Sequence, residues 1–425
     1  MQKLFSLRLK DLWYSFKSQH FAFWSISAYL AFEYVRPQSI IKSIDILPWG
    51  QITLILTLLG ILSEKYKPKV DPAIGNLLIL YFVIILLSST FAYDSGYAFS
   101  KLKDYYIWVI SYLMIVYSVT TAERFFLFIA LFILFSFKIS FSLAKVWAMR
   151  GFAFADWGLM GPPGFFQNSG ELAIQMLVLF GISFYFAKAL RPYTSKIVGY
   201  VLMLVPITAI MTVLGASSRG AQLGLAIQIL FIYKWQKLSF KYLIIGAAIV
   251  SLAYNFLPEE QKARFSEAGD DKTSVQRLLY WEHGYEMIKD NPILGVGFYN
   301  FVVVYNEKYS ADTLFGSAQL PHNIFIQIGT DTGLLGLIVI LFTILAQFKM
   351  NWRLRKKCDL SNATDMFYFE MSRGLDLALM GFLVAGQFVT VTYYPFFWIN
   401  LALVTALNTA FYNDKRLNKE HANNK

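Results

Sequence analysis

Residues 74–90, IGNLLILYFVIILLSST, decide the class of this chain. The stretch carries no charged side chain and approaches the length of a helix that crosses ~30 Å of hydrocarbon. Runs of the same kind recur on both sides of it. Phe21–Tyr34, Trp49–Ser63, Tyr105–Val119, Phe125–Ser142, Leu172–Leu190, Ile197–Gly215, Ala221–Tyr233, Tyr242–Leu257, Gly333–Phe348, Leu377–Val391 and Phe396–Phe411 bring the expected total to about 12 spans. One long polar segment, 257–321, interrupts them. The expected class is an all-α polytopic membrane protein, a single integral membrane domain over residues 1–425 with one large extramembrane loop. Several runs are short, so tilt, re-entrant geometry or extension into polar flanks is expected.

Composition agrees. Only 15% of residues are charged, against about 25% in soluble domains. The 39 Phe, 26 Tyr and 10 Trp suit lipid contact and interfacial belts. A net charge of +11 in a soluble protein would point to nucleic acid. Here the basic residues sit in short loops between apolar runs, so no nucleic-acid partner is expected. Cys358 is the one cysteine, which rules out an intrachain disulfide. No small-residue cleavage site follows the first apolar run, which reads as a retained span.

Lysine and arginine placement sets the topology. With the N-terminus inside, the inner side holds Lys3, Arg8, Lys10 and Lys17, then Lys65, Lys67 and Lys69, Arg124, Lys188 and Arg191, Lys234 and Lys237, Arg353 to Lys357, and the basic tail. The outer segments hold fewer, although they include the longest loop. This alternation expects both termini in the cytoplasm and the 257–321 loop outside. Within that loop, Val275–Lys289 (VQRLLYWEHGYEMIK) spaces Leu278, Trp281, Tyr285 and Ile288 along one helical stripe. An amphipathic helix is expected there, lying on the membrane or capping a cavity.

The loop and its margins hold the residues suited to chemistry. Arg219 lies in GASSRGAQLG at the start of a span, where helix dipole and free N–H groups would add to a guanidinium in holding phosphate. A topogenic or snorkelling arginine is the plainer reading. Arg264 and Arg277 lie in the loop, where each alone reads first as a surface charge. Arg277 is the stronger candidate, because the expected helix carries it beside Tyr280 and Trp281. His322, in LPHNIFIQIGTDTGLLG, stands where the loop re-enters the membrane. It reads as a helix-start hydrogen-bonding residue, as a general base, or as a positive partner of a diphosphate. His283 beside Glu282 reads as structural, and His20 and His421 as incidental. No histidine pair or cysteine cluster has metal-ligand spacing, so no metal or other cofactor is expected. Asn168 and Glu171, after Gly161-Pro162-Pro163-Gly164, read either as a helix cap or as an acceptor or sugar contact. Glu33-Tyr34-Val35-Arg36-Pro37 closes the first span and reads as a structural ion pair.

These pieces resemble, in order and in topology, the O-antigen ligase and polymerase superfamily of bacterial envelope glycosyltransferases. The matching pieces are Asn168-Ser169-Gly170-Glu171-Leu172-Ala173, Ser218-Arg219-Gly220, Arg277 through Trp281 to Asn291-Pro292-Ile293-Leu294-Gly295-Val296-Gly297, and His322-Asn323 with Gly333 and Gly336. Glu33–Pro37 loosely resembles an exosortase-associated branch of that family. The resemblance covers residues 161–341 well and the remainder by topology. It implies a GT-C-like architecture in the bacterial inner membrane with a periplasmic loop and active site. It also implies transfer of a glycan from undecaprenyl diphosphate to lipid A–core, a protein or another glycan. By resemblance, Arg219 and Arg277 would bind the donor diphosphate, Arg264 more weakly, and His322 and Arg277 would be catalytic. Asn323 and Asp331 would be minor acceptor or sugar contacts, Asp331 standing where the family often has glutamate. Other envelope polysaccharide assembly proteins are implied partners.

The chemistry expected of such a site is a metal-independent single displacement that inverts the anomeric carbon. Ligase and polymerase share this donor chemistry, and the sequence leans slightly to the ligase. The rival outside the enzyme class is a polysaccharide or lipid-linked sugar transporter or flippase. Transporters commonly have two related halves with broken helices at mid-depth. This chain shows no evident repeat, and its candidate residues cluster on one side. A non-catalytic assembly scaffold is a third reading.

Overall fold

A computed structural model describes residues 1–65, 69–153, 158–237, 239–241 and 271–423. Among these residues every regular element is helical. The helices of eight residues or more are α1 (Leu9–Lys17), α2 (Phe21–Tyr34), α3 (Trp49–Ser63), α4 (Ala73–Thr90), α5 (Lys103–Ser118), α6 (Ala122–Met149) and α7 (Ser169–Leu190). They continue with α8 (Lys196–Gly215), α9 (Arg219–Gln236), α10 (Lys272–Asp290), α11 (Phe301–Lys308), α12 (Ile324–Lys357), α13 (Ala363–Ala385) and α14 (Pro395–Asn423). Six of them, α4, α6, α7, α8, α12 and α14, are long and apolar enough to cross a bilayer. The protein is a polytopic membrane protein. Helices α2, α3, α5 and α9 fall on four of the shorter expected spans. The span expected at Tyr242–Leu257 lies outside the described residues, as do residues 257–270 of the loop.

Burial separates inner from outer helices. The apolar window of α7 is 89% buried and that of α14 is 94% buried, whereas that of α8 is only 33% buried. Helices α7 and α14 therefore form the centre, and α8 presents Ile197, Tyr200 and Val201 outward to lipid. Helix α7 packs along α13 and α8, and α14 along α5 and α13. Small residues permit this closeness. A Cβ on Gly181 of α7 would stand 2.8 Å from the Ala378 nitrogen of α13, so the two backbones touch, as small-residue interfaces in membranes allow.

Helix α13 differs from the span expected at Leu377–Val391. It starts at Ala363, where the Asn362 side chain accepts from the Thr364 and Asp365 N–H groups at 2.9 and 3.2 Å. It ends before Gly386. Its stretch up to the middle carries Glu370, Arg373 and, just past it, Asp376, which a hydropathy reading rejects. Ion pairs make the two carboxylates tolerable, and Arg373 lies over the Phe369 ring. Lys188 lies 2.8 Å from Glu370, and Arg355 2.7 Å from Asp376.

Helix α12 also differs. Its span was expected to start at Gly333, but helix already runs from Ile324 and is broken at Gly333, with φ 64° and ψ −163°. The 291–297 turn fills the break. The Leu334 N–H donates to the Pro292 carbonyl at 2.8 Å, and the Val296 N–H donates to the Thr330 carbonyl at 2.8 Å. A Cβ on Gly333 would lie 2.3 Å from the Ile293 oxygen. The Asn-Pro-Ile-Leu-Gly-Val-Gly motif is therefore a plug that satisfies backbone groups freed at the break, as irregular backbone at membrane depth requires. Gly333→Ala is expected to cost about 1–3 kcal/mol, because its backbone lies in a region almost confined to glycine, and more from the carbonyl overlap. A lowered thermal midpoint of the detergent-purified protein, against an unchanged midpoint for an exposed glycine such as Gly316, checks this.

Candidate functional site

The site is assembled from the starts of three helices. Before α12 the chain turns at Pro321-His322-Asn323, and His322 takes a left-handed backbone with φ 52°. For a non-glycine residue that conformation is strained and persists only where surroundings impose it. Here they do. The Trp281 indole N–H donates to the Pro321 carbonyl at 2.9 Å, and the Gln319 N–H donates to the Tyr280 hydroxyl oxygen at 3.0 Å. The Ile324 N–H donates to the Gly386 carbonyl at 3.0 Å. Helix α10, the expected loop helix, thus grips the turn from one side and the α13–α14 connection grips it from the other.

The imidazole is fixed at both nitrogens. Nε2 lies 3.1 Å from the Gln319 Oε1, and Nδ1 lies 3.0 Å from the Thr390 hydroxyl. Burial first, and then the nearby Arg277 charge, push its pKa down to about 4. The ring is neutral at pH 7, which suits a proton acceptor and disfavours the positive-partner reading.

The arginines meet through the first turn of α10. Asp271 caps that helix: its Oδ1 accepts the Ser274 N–H at 3.1 Å. Its Oδ2 accepts the Ser274 hydroxyl at 2.6 Å and Arg219 Nη2 at 2.8 Å. Burial pushes the Asp271 carboxyl up, but the Ser274 and Arg219 contacts outweigh it and hold it well below the usual carboxylate range. Arg219 also reaches the Ser274 hydroxyl at 3.2 Å. Arg277, half-buried, feels Arg219 as a repelling charge, and His322 feels Arg277 in turn. Burial, then Arg219, lower the proton affinity of the Arg277 guanidinium, and Asp271 partly offsets them. Arg277 Nε is buried and has no hydrogen-bond partner among the described residues. A buried N–H without an acceptor is costly, and among the described residues this one belongs to Arg277.

A cleft of about 960 Å³ reaches the site through Thr390, and neither arginine nor His322 lines it. Its apolar limb runs between α3 and α5, past Leu54, Leu58, Ile110 and Met114. Its polar end is formed by Lys103, Asp104, Tyr299, Gln327, Thr390 and Tyr393. Thr390, the partner of His322, is therefore part of the cleft wall.

Other sequence candidates are placed elsewhere. Arg264 lies outside the described residues. Asn168 and Glu171 form a helix cap: the Asn168 Nδ2 and backbone N–H groups donate to Glu171 at 3.0 and 3.3 Å, and the Tyr394 hydroxyl also bonds that carboxylate. Glu171 is buried, which favours capping over acceptor contact. Asn323 is spent similarly, its Oδ1 accepting the Phe325 and Ile326 N–H groups at 2.9 and 3.2 Å. Asp331 is 0% exposed, which favours a structural role over acceptor contact. It accepts the Tyr299 N–H at 2.9 Å and the Tyr393 hydroxyl at 3.0 Å, tying the cleft's tyrosines to the broken helix. His283 sits between Asp312 and Glu286, at 2.8 and 3.1 Å, and stacks on Tyr309. Arg36 lies against Gly164, joining two sequence motifs that were read separately. Among the described residues no group of three or more His, Cys, Asp or Glu could hold a metal ion.

Thr390, Gln319 and Asp271 were not anticipated as partners. Asp271 carried a signal, being one residue type that caps helices, six positions before Arg277. Thr390 carried none: its contact with His322 joins residues 68 positions apart.

No curated protein matches the chain. Residues 204–341 match the family model described as O-antigen ligase. That stretch contains Arg219, Arg277, His322 and the plug at the helix break, and the match is consistent with the resemblance read from the motifs.

Proposed function

We propose that this protein transfers a glycan from undecaprenyl diphosphate to an acceptor hydroxyl at the periplasmic face of the bacterial inner membrane. About 12 spans in a GT-C-like arrangement, with both termini cytoplasmic, complete that reading. The observation that carries it is the convergence of Arg219, Arg277 and His322 from three separate helix starts. The Arg277 N–H, without an acceptor among the described residues, adds to it.

A diphosphate fits such a cluster. Guanidinium forks bind two oxygens at once, and they stabilise charge that grows on the leaving group as the glycosidic C–O bond breaks. The acceptor oxygen attacks the anomeric carbon, and His322 serves as the base that ultimately receives its proton. A single displacement inverts the anomeric centre. The cleft between α3 and α5, apolar along one limb and polar at the other, suits an amphiphilic substrate. Lipid A–core, another lipid-linked glycan and a protein all remain within the acceptor class. Ligase and polymerase are separated by the lipid-linked pool of a deletion strain. Long chains on undecaprenyl diphosphate mark loss of a ligase, and single repeat units mark loss of a polymerase.

Proteoliposomes containing the purified protein and a defined undecaprenyl diphosphate-linked oligosaccharide test the reading against transport. The expected result is a new covalent glycan bond with release of undecaprenyl diphosphate. Movement of the intact lipid-linked glycan across the bilayer, with no new bond, would contradict it.

A further inference from the structure

We propose that Thr390 is a catalytic residue, the group that takes the acceptor's proton and hands its own to Nδ1 of His322. The inference rests on the glycan-transfer reading and adds a residue outside the matched stretch 204–341. Three observations support it.

The first is tautomer. The Gln319 Oε1, 3.1 Å from Nε2, can only accept, so Nε2 carries the ring proton. The Nδ1 lone pair then faces the Thr390 hydroxyl at 3.0 Å, and that hydroxyl donates. The second is access. Thr390 lines the cleft of about 960 Å³, and His322 does not. An acceptor arriving through the cleft meets Thr390 first. A hydroxyl that donates to Nδ1 keeps two lone pairs for an incoming hydroxyl. The third is redundancy. A tie between the 322 turn and the α13–α14 connection is already made by the Ile324 N–H and the Gly386 carbonyl, and the turn is also held through Trp281. The Thr390 bond is not needed for anchoring.

The step balances. The acceptor oxygen forms its bond to the anomeric carbon as the bond from that carbon to the diphosphate oxygen breaks, and the electron pair leaves with the diphosphate. The acceptor's proton moves to Thr390 Oγ while the Thr390 proton moves to Nδ1. Thr390 ends neutral and His322 ends as imidazolium. The Arg277 charge opposes that imidazolium, and a diphosphate seated on the arginines offsets the opposition. The base thus becomes competent when donor is present.

The test uses the full chain in nanodiscs, undecaprenyl diphosphate-linked oligosaccharide as donor, and total envelope glycolipid extract as the acceptor source. Single-turnover release of undecaprenyl diphosphate is followed. Thr390→Val is expected to slow the step by about 10²-fold or more with donor KM unchanged, and Thr390→Ser to stay within about fivefold of the parent. Thr390→Ala replaces the valine variant if that one fails to fold. A second readout is independent of turnover. The chain has 4 histidines, so the ¹⁵N signals of His322 are assigned by their loss in His322→Ala. Thr390→Val should shift its Nδ1 signal, and Thr390→Ser should restore it. Full-speed Thr390→Val alongside inactive His322→Ala would overturn the relay and leave His322 as a direct base. A serine variant as slow as the valine variant would also overturn it, by assigning the effect to packing. Transfer that survives in both Thr390→Val and His322→Ala would overturn the glycan-transfer site itself.

Discussion

With Arg277 replaced by alanine, the purified protein is expected to insert and fold but to lose glycan transfer by a factor of about 10²–10³, the usual effect of removing one donor from a site of developing negative charge. Arg277 is half-buried beside Arg219, its Nε lacks a partner among the described residues, and Asp271 is already engaged by Arg219 and Ser274. Removing Arg277 relieves a repulsion within the protein, so the folded state should not suffer. The loss should appear when the diphosphate develops charge. Arg277→Lys is the informative companion. It keeps the charge and removes the planar fork, so its rate should fall between those of parent and alanine variant. Single-turnover transfer, with circular dichroism and thermal midpoints as folding controls, measures both. Equal rates for parent and alanine variant would remove Arg277 from the site.

His322→Ala is expected to lose about 10²–10⁴-fold, the contribution of a positioned general base. A pH profile adds a sign. Burial and Arg277 hold the free-enzyme imidazole at about 4, below its ordinary value, so the neutral ring is fully available at pH 7. Activity carried by kcat/KM should stay level as pH falls through 6.5 and drop only toward pH 4. Stability follows the same direction by a different route. The unfolded chain takes up this proton near pH 6.5 and the folded chain only near 4, so folding weakens as pH falls through that window. An acid limb in kcat/KM centred near 6.5 would show that the ring is not held neutral by its surroundings.

The apolar spans were legible because a run such as 74–90 has no other stable environment. Helix α13 was misread because Glu370, Arg373 and Asp376 look too polar for a span, and their compensation comes from Lys188 and Arg355, far away in sequence. His322 was legible because a lone histidine at a loop-to-helix turn has few other uses. The meeting of Arg219 with Arg277 followed from the family resemblance and not from spacing. The partners of Asp331 were not legible because both, the Tyr299 N–H and the Tyr393 hydroxyl, belong to other loops. Without them an aspartate near a helix start looks available to substrate. Thr390 lay beyond sequence reasoning altogether, since nothing in a threonine between two apolar helices announces an imidazole opposite it.

The central claim is that the two arginines hold a pyrophosphoryl lipid and that His322 does not. Binding of radiolabelled undecaprenyl diphosphate to the protein in nanodiscs tests it most directly. The account predicts that Arg219→Ala and Arg277→Ala each weaken binding by about tenfold or more, the scale of a lost charge-assisted hydrogen bond, while His322→Ala binds as the parent does. Binding that is unchanged in both arginine variants would contradict it.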